Sequence, residues 1–248
     1  MMNMITKSKM KNLKSNQKSE IRNQKYLVCF DLDGTLMDSM SVVNGLFFDM
    51  VDNDLGLSTK EYRKNRQLWA VSVHERFDMF FKEQMKKKGV TRKQTDDFLM
   101  KFRTEKKKID FPLVPGAKKA VELVCKYFDN VACVSNNMDT MLDDYLKRLG
   151  LRKYFRKIVG NNGLKHSKPD PEIYEKTVTV LGLKNGNCLT FEDSSVGIES
   201  AKNAGIKAIA IATGVETFEE LKRTKADLVL EKFSDLKIQM IFDLFGIK

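Results

Sequence analysis

The stretch CFDLDGTLMDS, residues 29–39, sets three acids, Asp31, Asp33 and Asp38, directly behind an apolar run. Residues i and i+2 of a strand face the same way, so Asp31 and Asp33 bring two carboxylates to within about 7 Å of each other. At an effective dielectric of 20 such a pair repels by about 2–3 kcal/mol. A turn alone needs one Asp or Asn and a Gly. Something has to offset the repulsion, and the rest of the sequence contains the candidates.

The chain has 248 residues, enough for one domain with an insertion or for two domains. Its hydrophobic fraction of 42% and charged fraction of 31% are those of a soluble globular protein. No apolar run approaches the roughly 18 residues needed to cross a bilayer, so no membrane partner is expected. Residues 1–25 lack the apolar core of a secretory signal and are read as a disordered basic tail. Their Lys-rich, acid-poor character also fits an organelle-targeting peptide, although such peptides favour Arg.

The four cysteines, Cys29, Cys125, Cys133 and Cys188, form no CxxC pair, and three lie in β-like runs. They are read as reduced, buried thiols of a cytoplasmic protein. His74 and His166 have no partner at metal-ligand spacing, which argues against zinc.

The net charge of +11 is uneven: residues 26–59 hold six Asp and no base, whereas residues 60–110 hold sixteen bases and eight acids. An acidic pocket beside a basic cover suits a divalent cation with an anionic substrate. For most single lysines the plainer reading, a solvated helix face, holds.

Behind the short strand YLVCFD, residues 41–110 read as helical and basic, with apolar residues at mixed three- and four-residue spacing. PLVPG at 112–116 closes this block, which is taken as a helical bundle inserted into the rest. From 116 onward, helices alternate with the strands NVACVS, RKIVG, NCLTFE, IKAIAIA and ADLVL. Gly150 and Gly182 stop two of the helices, and Asp170 with Pro171 starts one. Alternation of this kind predicts an α/β fold with a doubly wound parallel sheet. The expected division is a core of 26–40 and 111–248, with the helical insert over 41–110.

Ligands of such sheets bind at the carboxyl ends of the strands. Those ends carry Asp31 and Asp33, with Gly34 allowing a tight turn; Ser135 and Asn136; Lys168, just before a helix; and Glu192 and Asp193. Several carboxylates with room for water suit Mg²⁺, a hard cation, and the metal is what offsets the repulsion between Asp31 and Asp33. Ser135, Asn136 and Lys168 can receive a phosphate.

The four segments DLDGTLMDS, VSNN, KPDPEIY and FEDSSVGIESAKNAG resemble the signature motifs of the haloacid dehalogenase-like hydrolases. The branch they resemble is that of phosphatases and β-phosphoglucomutases with a helical cap. The resemblance covers about residues 26–245 and is loose in the insert. It implies Asp31 as nucleophile, forming an aspartyl-phosphate, and Asp33 as general acid and then base. It also implies Mg²⁺ held by Asp31, the Asp33 backbone carbonyl and Asp193, with Glu192 in or next to the shell. Ser135 and Asn136 would hydrogen-bond phosphoryl oxygens, and Lys168 would neutralise charge and orient Asp31. Gly34, Ser135, Asn136 and Lys168 form the expected substrate contacts. Asp38 matches the family pattern but is read as the cap of the first inserted helix.

Within that family, Asp33 and the Glu192-Asp193 pair argue against a dehalogenase. EDSSVGI is similar to the mutase and sugar-phosphatase pattern. Mutases of the family, however, carry a His where this chain has Val43, and an Arg where Val73 follows Ser72. The expected activity is a phosphatase acting on a small phosphorylated metabolite such as a sugar phosphate; a mutase and a non-catalytic binder with a basic tail are the alternatives. The basic stretches lack interleaved aromatics, which argues against nucleic acid, and a monomer is expected. Ser72, His74, Arg76 and Lys82 are the candidate specificity residues of the insert.

Overall fold

The structure, a computed structural model, describes residues 26–64 and 73–247. The tail at 1–25 and Ser72 lie outside those residues, as does the side chain of His74. No described helix is long and apolar enough to cross a membrane.

Six strands form one sheet: β1 (Leu27–Phe30), β2 (Asn130–Val134), β3 (Lys157–Val159), β4 (Cys188–Glu192), β5 (Lys207–Ile211) and β6 (Leu228–Leu230). Their order is β3-β2-β1-β4-β5-β6 and every pairing is parallel. All six stretches read as strands from the sequence are present. Parallel sheets are covered on both faces, so their strands read as continuous apolar runs. Alternation still sorts the side chains. Val28 and Phe30 pack into one core layer, while Leu27 and Cys29 pack into the other. Across the β1–β4 pair, Phe30 stacks on Phe191 with ring centroids 4.6 Å apart. No cysteine is paired, and burial pushes the thiols of Cys29 and Cys133 well up, so they serve as packing groups.

The inserted helices are α1 (Met40–Asp54), α2 (Val73–Arg76), α3 (Lys82–Lys88) and α4 (Arg92–Lys107), with a π-helical turn, Phe77–Phe81, joining α2 to α3. Among the described residues of this segment there is no strand. Phe47 of α1 is surrounded by Phe48, Phe77, Phe81, Phe98 and Phe102 at centroid distances of 5.5–6.5 Å. Thr91 starts α4 with a reciprocal capping box to Gln94.

The two connections between this segment and the sheet run side by side. Met37 bridges Leu113, Asp38 N–H donates to Pro112 O, and Val114 N–H donates to Leu36 O. This pairing corrects the reading of Asp38. Its side chain is exposed, and Ser39 occupies the position before α1. Ser39 does not cap the helix either, because its hydroxyl is turned to Asp33.

The remaining helices are α5 (Ala117–Cys125), α6 (Asp139–Arg148), α7 (Glu172–Val180), α8 (Ser195–Asn203), α9 (Phe218–Leu221) and α10 (Ile238–Phe245). Helices α5, α6 and α10 cover one face of the sheet, and α7, α8 and α9 the other. Helix α7 starts one residue later than the sequence suggests, with Asp170 Oδ1 accepting the Glu172 N–H at 2.9 Å. The strand order reverses between β1 and β4, and the crevice expected at that switch point lies outside their carboxyl ends.

Candidate active site

Strand pairing carries Asp31 to that point. Its N–H donates to Phe191 O at 3.0 Å, which holds the residue after β1 beside the end of β4. Glu192 ends β4 and Asp193 follows it. Asp31, Glu192 and Asp193 are all buried, and one oxygen from each lies within 4.8 Å of the others.

Lys168 is the cation among them. Its Nζ is 2.7 Å from Asp31 Oδ1, 2.7 Å from Glu192 Oε1 and 3.3 Å from Val134 O, so its three protons have three acceptors. Tyr174 of α7 donates a second hydrogen bond to Glu192 Oε1. Thr35 donates to Asp193 Oδ1 at 3.3 Å. Among the described residues, then, the side-chain donors to each acid go to a single oxygen. Asp193 Oδ2 is buried with no hydrogen-bond partner at all.

Two glycines make room for that orphan oxygen. A Cβ on Gly34 would sit 2.2 Å from it, and one on Gly214 only 1.7 Å away. Gly34 also has φ +82°, a conformation that glycine adopts without strain. Gly197 plays the same part for Glu192, where a Cβ would meet Oε2 at 1.9 Å. A buried, unpartnered carboxylate oxygen is strongly unfavourable. Three buried acids with an oxygen each within 4.8 Å, one of them carrying an unpartnered oxygen, fit a hard cation taking oxygen ligands.

The charges respond to this crowding. Burial is the largest influence on Asp31, which is pushed up to about 8 by it and by Glu192 and Asp33, against the pull of Lys168. Asp193 is raised well above the usual carboxylate range by burial, then by Asp31 and Glu192. Burial disfavours the charged form of Lys168, yet Asp31 and Glu192 outweigh it and hold its ammonium well up.

Asp33 has a different setting. Its Oδ1 accepts from Ser39 Oγ at 2.7 Å and from Lys106 Nζ at 3.3 Å, and its Oδ2 accepts from Asn137 Nδ2. Burial pushes Asp33 up, but the Lys106 charge and these hydrogen bonds outweigh it and hold the carboxyl below its ordinary range. Two carboxylates two residues apart are thus driven in opposite directions, the pattern that separates acid and base roles in a site.

Asp31, Asp33, Ser135, Asn136, Lys168, Glu192 and Asp193 all line one crevice, together with Met40, Ser194, Val196 and Gly197. Gly34 lies behind Asp193 instead of on the crevice wall. Ser135 Oγ is held by Asn137, and Asn136 Oδ1 accepts the Lys168 N–H. The insert candidates fare differently. Arg76 is buried, its guanidinium 5.0 Å from the Phe47 ring centre and donating to Asn44 Oδ1, so it belongs to the aromatic core of the insert. Lys82 is exposed, as is His166 in the loop before Lys168, and neither they nor Arg76 line the crevice.

Six contributors are absent from the sequence reading: Thr35, Ser39, Lys106, Asn137, Tyr174 and Gly214. Asn137 and Tyr174 fall inside the quoted segments VSNN and KPDPEIY. Lys106 is one base among many in a basic block and carries no local signal.

Comparison with known proteins agrees with this geometry. The family described as haloacid dehalogenase-like hydrolase matches residues 28–211. The chain is 31% identical over 186 residues to the phosphorylated carbohydrates phosphatase of Thermotoga maritima, covering 73% of this chain and 82% of that protein. It is 23% identical over 214 residues to the pyrophosphatase PpaX of Bacillus velezensis, covering 84% and 93%. Among solved structures, a beta-phosphoglucomutase from Clostridium difficile matches with a TM-score of 0.76 at 21% identity, over 90% of this chain and 98% of that one. At that identity the likeness speaks for the fold alone.

Proposed function

The chain belongs to the haloacid dehalogenase-like hydrolases, and we propose that it is a Mg²⁺-dependent phosphatase of small phosphomonoesters, with sugar phosphates the class to test first. The observation that carries this reading is the arrangement at β1 and β4. Three buried carboxylates bring one oxygen each to within 4.8 Å of one another, Lys168 is shared between Asp31 and Glu192, and Asp193 Oδ2 is left without a donor.

In this reading Asp31 attacks phosphorus and forms an aspartyl-phosphate. Asp33 gives a proton to the leaving oxygen and then takes one from the water that hydrolyses the intermediate. Ser135 and Asn136 hold phosphoryl oxygens, and Lys168 keeps Asp31 oriented and opposes the growing negative charge. Mg²⁺ would be held by Asp31, Asp193 and the Asp33 carbonyl, with Glu192 beside or within its shell; when bound it screens the incoming phosphate from the carboxylates. The helical insert at 41–110 is assigned the role of a cap over the substrate. The phosphatase named for Thermotoga maritima supports phosphorylated carbohydrates as the first substrates to try.

The test is hydrolysis of p-nitrophenyl phosphate with and without Mg²⁺, comparing wild type with Asp31→Asn, beside a panel of sugar phosphates. Phosphate release that needs the metal and disappears in the variant is the expected result. β-Glucose 1-phosphate isomerisation run in parallel and outpacing phosphate release overturns it in favour of a mutase.

A further inference from the structure

Asp33 is held by three side chains from three parts of the chain. Ser39 comes from the connection into α1, Asn137 from the loop behind β2, and Lys106 from the last turn of α4. Every one of them donates, so the carboxylate is presented as an acceptor on both oxygens. Lys106 also donates to Asn137 Oδ1 at 2.9 Å, which locks two of the three together.

Lys106 is built into this place. It and Lys168 are the two buried lysines among the described residues. A buried ammonium is strongly unfavourable unless paired, and Lys106 is paired to Asp33. Helix α4 is in turn fixed to α6. Tyr145 OH donates to Lys106 O at 3.1 Å, and Arg148 donates to Lys107 O, Ile109 O and Asp110 Oδ1. The C-terminal carbonyls of α4, which need donors from outside the helix, thus receive them from the core. The backbone that carries Lys106 has little freedom to move away from Asp33 without breaking these bonds.

We propose that Lys106 is a positioning residue for Asp33, holding its carboxylate ready to take the proton of the hydrolytic water. The proposal rests on the phosphatase reading above. In the step concerned, the water oxygen bonds to phosphorus and the bond from phosphorus to the Asp31 oxygen breaks, its electron pair staying on Asp31. The water proton passes to Asp33. A carboxylate that accepts three donors is oriented for this step, and loss of the cation on its Oδ1 side loosens it. Lys106 is buried against Asp33 and is not among the residues that line the crevice, so it acts through Asp33 and not on the substrate.

The experiment is rapid-mixing kinetics of Mg²⁺-loaded enzyme with p-nitrophenyl phosphate. Its leaving group departs without protonation, so the first phosphoryl transfer does not depend on Asp33. Lys106→Met is expected to lower kcat by about ten- to a hundredfold, the size of a lost hydrogen bond to a charged group. Because only hydrolysis of the aspartyl-phosphate slows, KM falls in parallel and kcat/KM stays within about threefold. A burst of one p-nitrophenolate per active site precedes the slow phase. Asp33→Asn gives the same burst in larger degree, and Lys106→Gln, which keeps a donor, gives a smaller version and serves if the Met variant does not fold. Equal falls of kcat and kcat/KM without a burst in Lys106→Met, or wild-type kinetics, overturn the role of Lys106 while a burst in Asp33→Asn leaves the reading of Asp33 standing. Absence of a burst in Asp33→Asn overturns the reading of Asp33 as base, and the proposal with it.

Discussion

Divalent-cation affinity between pH 6 and pH 8 tests the electrostatics of the crevice without reference to any substrate. Asp31 in the metal-free protein is pushed up to about 8, burial being the largest cause. Carboxylates must be deprotonated to hold a metal, so binding at lower pH has to expel this proton. The deprotonated fraction of a group at about 8 is one half at pH 8 and about one in a hundred at pH 6. Mg²⁺ affinity is therefore expected to weaken about fiftyfold over that range, close to tenfold per pH unit below 8. Asp193 is raised in the same direction, so its proton steepens the dependence and does not cancel it. The stability of the metal-free protein runs the other way. A carboxyl raised above its unfolded value contributes stability that is fully present below about 4 and is lost as the pH climbs through about 8, on the order of 5 kcal/mol for this one group. Hence the rise in melting temperature on adding Mg²⁺ grows with pH.

Isothermal titration calorimetry at pH 6, 7 and 8 measures the affinity, and two buffers of different ionisation enthalpy count the protons released. At least one proton per Mg²⁺ is expected at pH 6–7. In Asp31→Asn, affinity falls and the slope of log affinity against pH drops by about one. That variant separates Asp31 from every other group that titrates in the window. Affinity constant within about threefold from pH 6 to 8, with no proton released, refutes the argument that buried, crowded acids await a cation.

Two further outcomes follow from the packing. Gly214→Ala puts a methyl group 1.7 Å from Asp193 Oδ2, against a residue with no room to retreat; Mg²⁺ affinity by calorimetry should fall more than about tenfold, with the far-ultraviolet circular dichroism spectrum unchanged. Phe47→Ala empties the centre of the aromatic cluster between α1, the π-helical turn and α4; a loss of about 3–5 kcal/mol is expected, read as a lower urea midpoint.

Much of this molecule was legible because parallel sheets obey strong rules. Strands buried on both faces leave apolar runs, and all six were visible as such, from LVCF in β1 to LVL in β6. Once the alternation of strands and helices is seen, the ends of those runs mark the rim where ligands bind. Asp31, Ser135, Asn136, Lys168, Glu192 and Asp193 could be picked out for that reason and do meet in one crevice. Within elements, single-residue assignments were less secure. Asp38 and Ser39 are both good helix starters, and only the pairing of Asp38 N–H with Pro112 O decides which faces solvent. Arg76 illustrates the same difficulty, since nothing local distinguishes an arginine over a crevice from one folded onto Phe47.

The residues that escaped share a physical cause. Tyr174, Thr35 and Gly214 matter through what they touch across the sheet: the second hydrogen bond on Glu192 Oε1, the donor on Asp193 Oδ1, and the space beside Asp193 Oδ2. Such contacts join positions far apart in sequence and leave no spacing to read. Lys106, 73 residues from the carboxylate it meets, is hidden for a further reason. In the sequence it is one more cation in a block whose lysines are mostly exposed, and charge alone cannot say which of them faces inward. Tyr145 and Arg148 decide it, because their bonds to the carbonyls at the end of α4 fix the rotation and height of that helix against the core. The setting of Asp33 is therefore shared between the quoted segments, which supply Ser39 and Asn137, and the anchoring of the inserted helices, which supplies Lys106. That places part of the site's chemistry in the segment where the sequence says least about it.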